Sequence, residues 1–194
     1  TVSQKFRVLY AGNIGRIHPI KTILDAAQIL HHTHPDIEFL FVGDGERFDE
    51  IASLKTREHI DNIRLLPYQP PEKLTALMES GDLHLVAMDN KAIGMAVPSK
   101  LYAAIGAQRP CIFLGPNDSE AAMVINAYKF GTVIDVNDAQ KLADQIALYR
   151  SDGKIWFDAQ NNAQNAAQIF TPKASIQVWM ERAWSLLETN DFGR

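Results

Sequence analysis

A chain of 194 residues, 46% hydrophobic and 22% charged, has the apolar content for one sizeable globular core. Its net charge of −4 argues against a general nucleic-acid binder. A single cysteine excludes a disulfide framework and a thiolate metal cluster, and without a signal-peptide pattern or a membrane-length apolar run the expected compartment is the cytoplasm.

The chain alternates between two hydropathy patterns. Residues 6–11, FRVLYA, are a continuous apolar run with aromatic and β-branched members, which predicts a buried strand. A Gly-rich turn, AGNIG, follows. Ile20, Ile23, Leu24, Ala27 and Leu30 recur at helical spacing and predict a helix over 19–31. Strands over 37–42 and 63–66 flank a helix over 46–57, placed by Phe48, Ile51 and Leu54. Pro70-Pro71 breaks the chain before a helix over 72–79. The fourth strand is expected over 82–88. GMAVPSKLYAAIGAQRP, residues 94–110, then gives a loop and a helix, and 111–114 a fifth strand. A helix over 119–127, a strand over 132–136 and a helix over 139–149 come next. From 153 to 188 the pattern is helical, interrupted near Thr171-Pro172.

Alternating strands and helices imply right-handed crossovers. The expected fold is α/β: a Rossmann-like, doubly wound parallel sheet of about six strands, with helices on both faces and a helical tail over 154–194. In such sheets ligands sit beyond the carboxyl ends of the strands. The loops there are GNIGRIH, VGDGE, LPYQP, DNKAIGMAVPSK and LGPNDSE. At Val97-Pro98-Ser99-Lys100 a helix opens, with free N–H groups, a hydroxyl and a full positive charge. That suits a phosphate or diphosphate; an ordinary helix start with a solvated lysine fits the same residues. Convergence of the loops on one rim favours a single phosphorylated ligand.

Other residues are weighed more briefly. His31, His32 and His34 sit at a helix end before Pro35, where basic groups suit the dipole, and no metal site is assigned. Cys111 lies inside the apolar run CIFL and is expected to be a buried hydrophobe. GDGE lacks the further oxygen ligands of a calcium loop. GNIGR is short of the dinucleotide fingerprint. Trp179 and Trp184, with Met180 and Leu187, form an apolar face in the tail.

YAGNIGRIHPIKTILDAA, VGDGE, LPYQPPEKLTALMESGDLHLV and VPSKLYAAIGAQRPCIFLGPNDSEAAMVI occur in that order. They resemble the C-terminal, donor-binding domain of family 4 glycosyltransferases, enzymes of the two-domain GT-B fold. The resemblance runs over nearly the whole chain. It implies a single nucleotide-sugar-binding domain over 1–194, with the acceptor-binding N-terminal domain absent. It implies retaining transfer from a nucleotide diphosphate sugar, UDP- or GDP-linked, with no further cofactor and no metal. The acceptor would be a saccharide or lipid-linked molecule held by the other domain. The setting would be bacterial cell-surface polysaccharide or glycolipid synthesis, with the full enzyme at the inner face of the membrane.

The donor-binding positions implied by this resemblance are Gly12, Asn13, Gly15, Arg16, His18, Gly43, Asp44, Tyr68, Met95, Pro98, Ser99, Lys100, Leu101 and Glu120. Arg16 and Lys100 are the expected stabilisers of the diphosphate leaving group. Two family glutamates of the donor segment are replaced by Met95 and Ala103, the second of them the usual ribose contact. Asn13 and His18 stand where many members carry Arg and Lys on the first loop. Gln108 stands at a usual glycine, which is expected to matter for packing alone. The isolated chain is expected to be inactive. The alternative reading is a non-catalytic Rossmann-like module that binds a nucleotide or a protein.

Overall fold

The computed structural model describes residues 5–15, 19–93 and 99–189. Six parallel strands form one sheet in the order β3-β2-β1-β4-β5-β6. They are β1 (Phe6–Ala11), β2 (Ile37–Val42), β3 (Ile63–Leu66), β4 (Leu83–Ala87), β5 (Cys111–Leu114) and β6 (Gly131–Ile134). The helices between them are α1 (Ile20–Thr33), α2 (Phe48–Arg57), α3 (Pro71–Glu79), α4 (Ser99–Gly106), α5 (Glu120–Tyr128) and α6 (Ala139–Ser151). Then come α7 (Gly153–Ile169) and α8 (Pro172–Thr189). This is the expected doubly wound α/β architecture, with its strand order reversing between β1 and β4.

Strand alternation explains why helices cover both faces. On β1, Val8 and Tyr10 point to one side, where α1, α2 and α6 bring Ile23, Leu30, Ile51, Leu142 and Ile146. Leu9, with Leu40 and Val42 of β2, points to the other and meets Leu77 and Met78 of α3. Further along that second side, Val86, Met88, Cys111 and Phe113 meet Leu101 and Ile105 of α4, Ile125 of α5, and Ala163 and Ala166 of α7. Cys111 is wholly buried there, and burial pushes its thiol far above the ordinary range. It is the small hydrophobe that its sequence setting implies.

The ends of the elements differ from the sequence expectation where side chains tie the backbone elsewhere. β6 stops at Ile134, short of the expected 136. The Val136 carbonyl instead accepts a hydrogen bond from the Thr22 hydroxyl of α1. α1 runs on to Thr33, whose hydroxyl donates to the Ile29 carbonyl at 3.0 Å. α7 is integral to the body, since Ala159, Ala163 and Ala166 are buried and Trp156 Nε1 donates to the Asp82 carbonyl at 2.8 Å. α8 is different: Ile176, Val178, Trp179, Met180 and Trp184 are all exposed, Trp179 by 76%. Among the described residues no helix is long and apolar enough to cross a membrane.

Candidate functional site

The crevice opens where β1 and β4 lie side by side and their following segments diverge. The first loop is laid against the end of β2: Gly12 N–H donates to the Val42 carbonyl at 2.8 Å, and Ile14 N–H to the Asp44 carbonyl at 2.9 Å. Such an approach needs glycine. A Cβ on Gly43 would stand 2.3 Å from the Gly12 carbonyl oxygen, and Gly43 has φ +147.

Lys100 projects from the first turn of α4, a helix packed on the second side of the sheet. Its side chain crosses the carboxyl edge to β1, whose Tyr10 belongs to the core of the first side. Nζ lies 3.2 Å from the Asn13 carbonyl oxygen and 5.3 Å from the centre of the Tyr10 ring. A Cβ on Gly12 would come within 3.0 Å of Lys100 Cε, so glycine keeps this corridor open. Among the described residues, Lys100 has no carboxylate ion-pair partner. Desolvation lowers its pKa from the usual lysine value.

A cleft of about 340 Å³ surrounds this group. Gly12, Asn13, Ser99 and Lys100 make its polar end. Leu74, Leu77 and Met78 of α3 make an apolar wall, and Tyr68 and Gln69 also belong to the lining. The combination of an apolar wall with a few convergent polar groups suits a small organic anion. A groove of about 470 Å³ between α1 and α2 is larger but chemically closed. Its cations are each met by a carboxylate: Lys21 by Asp25, Arg47 by Glu50, Arg57 by Glu58.

The sequence profile described as glycosyl transferases group 1 matches residues 2–169. The chain belongs to this family. It is 26% identical over 134 residues to WbjE of Pseudomonas aeruginosa, a protein named as a glycosyltransferase, covering 69% of the chain and 33% of WbjE. It is 31% identical over 94 residues to WcaI of Escherichia coli strain K12, named as a colanic acid biosynthesis glycosyl transferase, covering 48% of the chain and 23% of WcaI. The chain thus spans a third or less of the length of these curated relatives. The pneumococcal O-GlcNAc transferase GtfA, solved with UDP and GlcNAc, superposes with a TM-score of 0.73 at 16% identity, over 95% of this chain and 36% of GtfA. That likeness confirms the Rossmann-like domain.

In this group 1 glycosyl transferase domain, the cleft gathers Gly12, Asn13, Tyr68, Ser99 and Lys100 of the sequence-derived positions, and also Ala103. Gly43 is outside the lining but packs closely against Gly12, which is in it. Gly15 is half-buried on the same loop. Asp44 is exposed, with its carboxylate accepting from the Gly45 N–H at 2.7 Å. Leu101 is buried in the core, so only its backbone can face a ligand. Glu120 opens α5 and accepts from the Tyr102 hydroxyl at 3.2 Å, outside the cleft lining. Arg16, His18, Met95 and Pro98 lie outside the described residues.

Three features were not anticipated from the sequence. Tyr10 underlies the lysine, although a tyrosine in an apolar strand signals only core. The wall from α3 comes from a segment that the sequence marks only as a helix. Gln108 corrects the packing expectation: its φ is +56, so the usual glycine answers a backbone demand.

Proposed function

We propose that this chain is the donor-binding domain of a two-domain, retaining group 1 glycosyltransferase. The observation that carries the reading is the Lys100 ammonium, held at the strand reversal without a carboxylate partner among the described residues. A nucleoside diphosphate would place its phosphates against Lys100, Ser99 and the first turn of α4. Its base and ribose would lie along Tyr68, Leu74, Leu77 and Met78. As the glycosidic bond to the diphosphate breaks, negative charge develops on the leaving oxygen, and the fixed ammonium stabilises it. Arg16, from the first loop, is the proposed second cation. UDP- and GDP-sugars are the proposed donors, with support for UDP from the ligand named with GtfA. Bacterial cell-surface polysaccharide synthesis is the proposed setting, with support from the colanic acid biosynthesis named for WcaI. A second domain would bring the acceptor and exclude water from the reacting bond.

Titration of the full chain with UDP, GDP and the free nucleosides tests this. Lys100→Ala should weaken diphosphate binding by roughly ten- to a hundredfold, as expected for one charge-assisted hydrogen bond, and leave nucleoside binding little changed. Equal losses for both would remove Lys100 from the phosphate site. Incubating the chain with nucleotide sugars and saccharide acceptors should release no nucleoside diphosphate. Acceptor-dependent turnover would contradict the division of labour between domains.

A second reading, a non-catalytic nucleotide-binding module, draws on Ala103. Its methyl group lines the cleft where the family resemblance leads one to expect a ribose-binding carboxylate. Restored transfer on pairing the chain with a matching acceptor domain would eliminate that reading.

A further inference from the structure

We propose that Tyr10 is a positioning residue for the cleft: the face of its ring sets where the Lys100 ammonium stands before a diphosphate arrives. The inference rests on the donor-site reading above.

Tyr10 is fixed independently of any ligand. It is 1% exposed, pairs in register with Phe41 of β2, and packs its ring against the Phe41 ring at 5.7 Å between centres. Among the described residues, Lys100 is not fixed by its own helix in this way. Its helix packs on the opposite side of the sheet, and the side chain is half-buried as it crosses the edge. Among the described residues, the stopping place of the ammonium is therefore set by what β1 and the loop after it offer. They offer the Tyr10 ring at 5.3 Å and the Asn13 carbonyl at 3.2 Å, reached through the corridor beside Gly12.

The nature of these two partners matters. A carboxylate here would close an ion pair and cancel the charge meant for a phosphate. An aromatic face and a carbonyl attract an ammonium through a quadrupole and a dipole. They orient it and leave its full charge to act on an incoming anion. A long, flexible side chain held in place beforehand loses less freedom when the ligand binds. Tyr10, Gly12 and Asn13, from one strand end, thus hold a side chain 87 residues beyond Asn13.

A residue that only fills the core is replaceable by any side chain of the same shape. A positioning ring depends also on the negative potential of its face. Phenylalanine and its progressively fluorinated analogues at position 10 keep the shape and drain that potential. In the full chain carrying this series, the measurements are UDP and uridine affinity, the unfolding midpoint, and the Lys100 Nζ resonance without ligand. Tyr10→Phe should retain most of the UDP affinity. Affinity should then fall stepwise, by about three- to tenfold at full fluorination, in line with a partly desolvated cation–π contact. Uridine affinity should move less than about twofold, and the Nζ resonance should shift along the series. Flat UDP affinity, or equal losses for UDP and uridine, would overturn the proposal. If the parent chain binds no nucleoside diphosphate, the donor-site reading fails by itself. The Nζ resonance still decides the contact in that case: a shift along the series upholds it, and an unmoved resonance overturns it.

Discussion

Nε2 of the buried His84 lies 2.9 Å from the carbonyl oxygen of Met78, whose side chain lines the cleft. A carbonyl can only accept, so Nε2 carries a proton and donates it to Met78. Burial lowers the pKa of His84 to about 4; the Met78 carbonyl pulls it up, and Arg109 nearby pushes it further down. Unfolded, the ring would titrate near the usual histidine value of about 6.5. The fold therefore disfavours the protonated ring. The stability this confers is complete above the unfolded pKa and is lost as the pH falls toward 4. The difference amounts to on the order of 3 kcal/mol. Denaturant unfolding at pH 7 and pH 4.5 should show a clear loss in the parent chain and a smaller one in His84→Gln. Matching losses would assign the acid sensitivity to carboxylates instead.

Gly43→Ala should damage both stability and the cleft. Its Cβ would meet the Gly12 carbonyl at 2.3 Å, a backbone atom that can yield only by moving the first loop. With φ at +147 the alanine is strained as well. A loss of about 2–3 kcal/mol is expected, along with weakened nucleoside diphosphate binding through displaced Gly12 and Asn13. Calorimetric melting and titration report the two effects separately. An alanine variant with parental melting and binding would contradict the close approach of these loops.

The opposite change is expected at Gln108. It sits just past the end of α4, where its N–H donates to the Ile105 carbonyl at 2.9 Å and the Arg109 N–H to Ala104 at 3.2 Å. Its φ of +56 is the left-handed conformation that suits glycine. Gln108→Gly should stabilise the chain by about 0.5–1 kcal/mol without altering ligand binding. A lowered melting temperature would mean that side-chain contacts of Gln108 outweigh its backbone strain.

These positions show which parts of the molecule are legible in sequence. The six strands are continuous apolar runs because a doubly covered parallel sheet buries both of their faces. Lys100 was legible for a local reason: it follows Pro98-Ser99 at a helix start. Tyr10 was not, because its contact with Lys100 comes from a side chain that crosses over from α4. The same holds for Leu74, Leu77 and Met78: the sequence predicts a helix over 72–79, and nothing local says that its apolar residues wall a cleft. Gln108 was misread because AQRP gives no sign of the left-handed turn that its backbone makes. The ends of β6 and α1 were misplaced by tertiary hydrogen bonds and helix-end bonds, such as that of Thr22 to Val136, which no local pattern announces.

Lys100→Met should separate stability from function. Desolvation lowers the Lys100 pKa, so the fold disfavours its charged form. A lysine with a depressed folded pKa contributes stability only above its unfolded pKa; at neutral pH, well below that value, the partly desolvated charge is a cost. The Tyr10 ring and the Asn13 carbonyl offset part of it, but neither is an anion. Methionine keeps the unbranched apolar stem, fits the corridor beside Gly12 and brings no charge. The ligand-free variant should therefore be somewhat more stable than the parent at pH 7, the gain being reduced by solvent screening of the half-exposed ammonium. Adding UDP should raise the melting temperature of the parent and leave the variant almost unmoved, because stabilisation by a ligand follows its affinity for the folded state. The two melting curves would then cross as UDP is added. A variant that is less stable without ligand would mean that the lysine serves the fold. A variant still stabilised by UDP to the parental extent would mean that the diphosphate lies elsewhere.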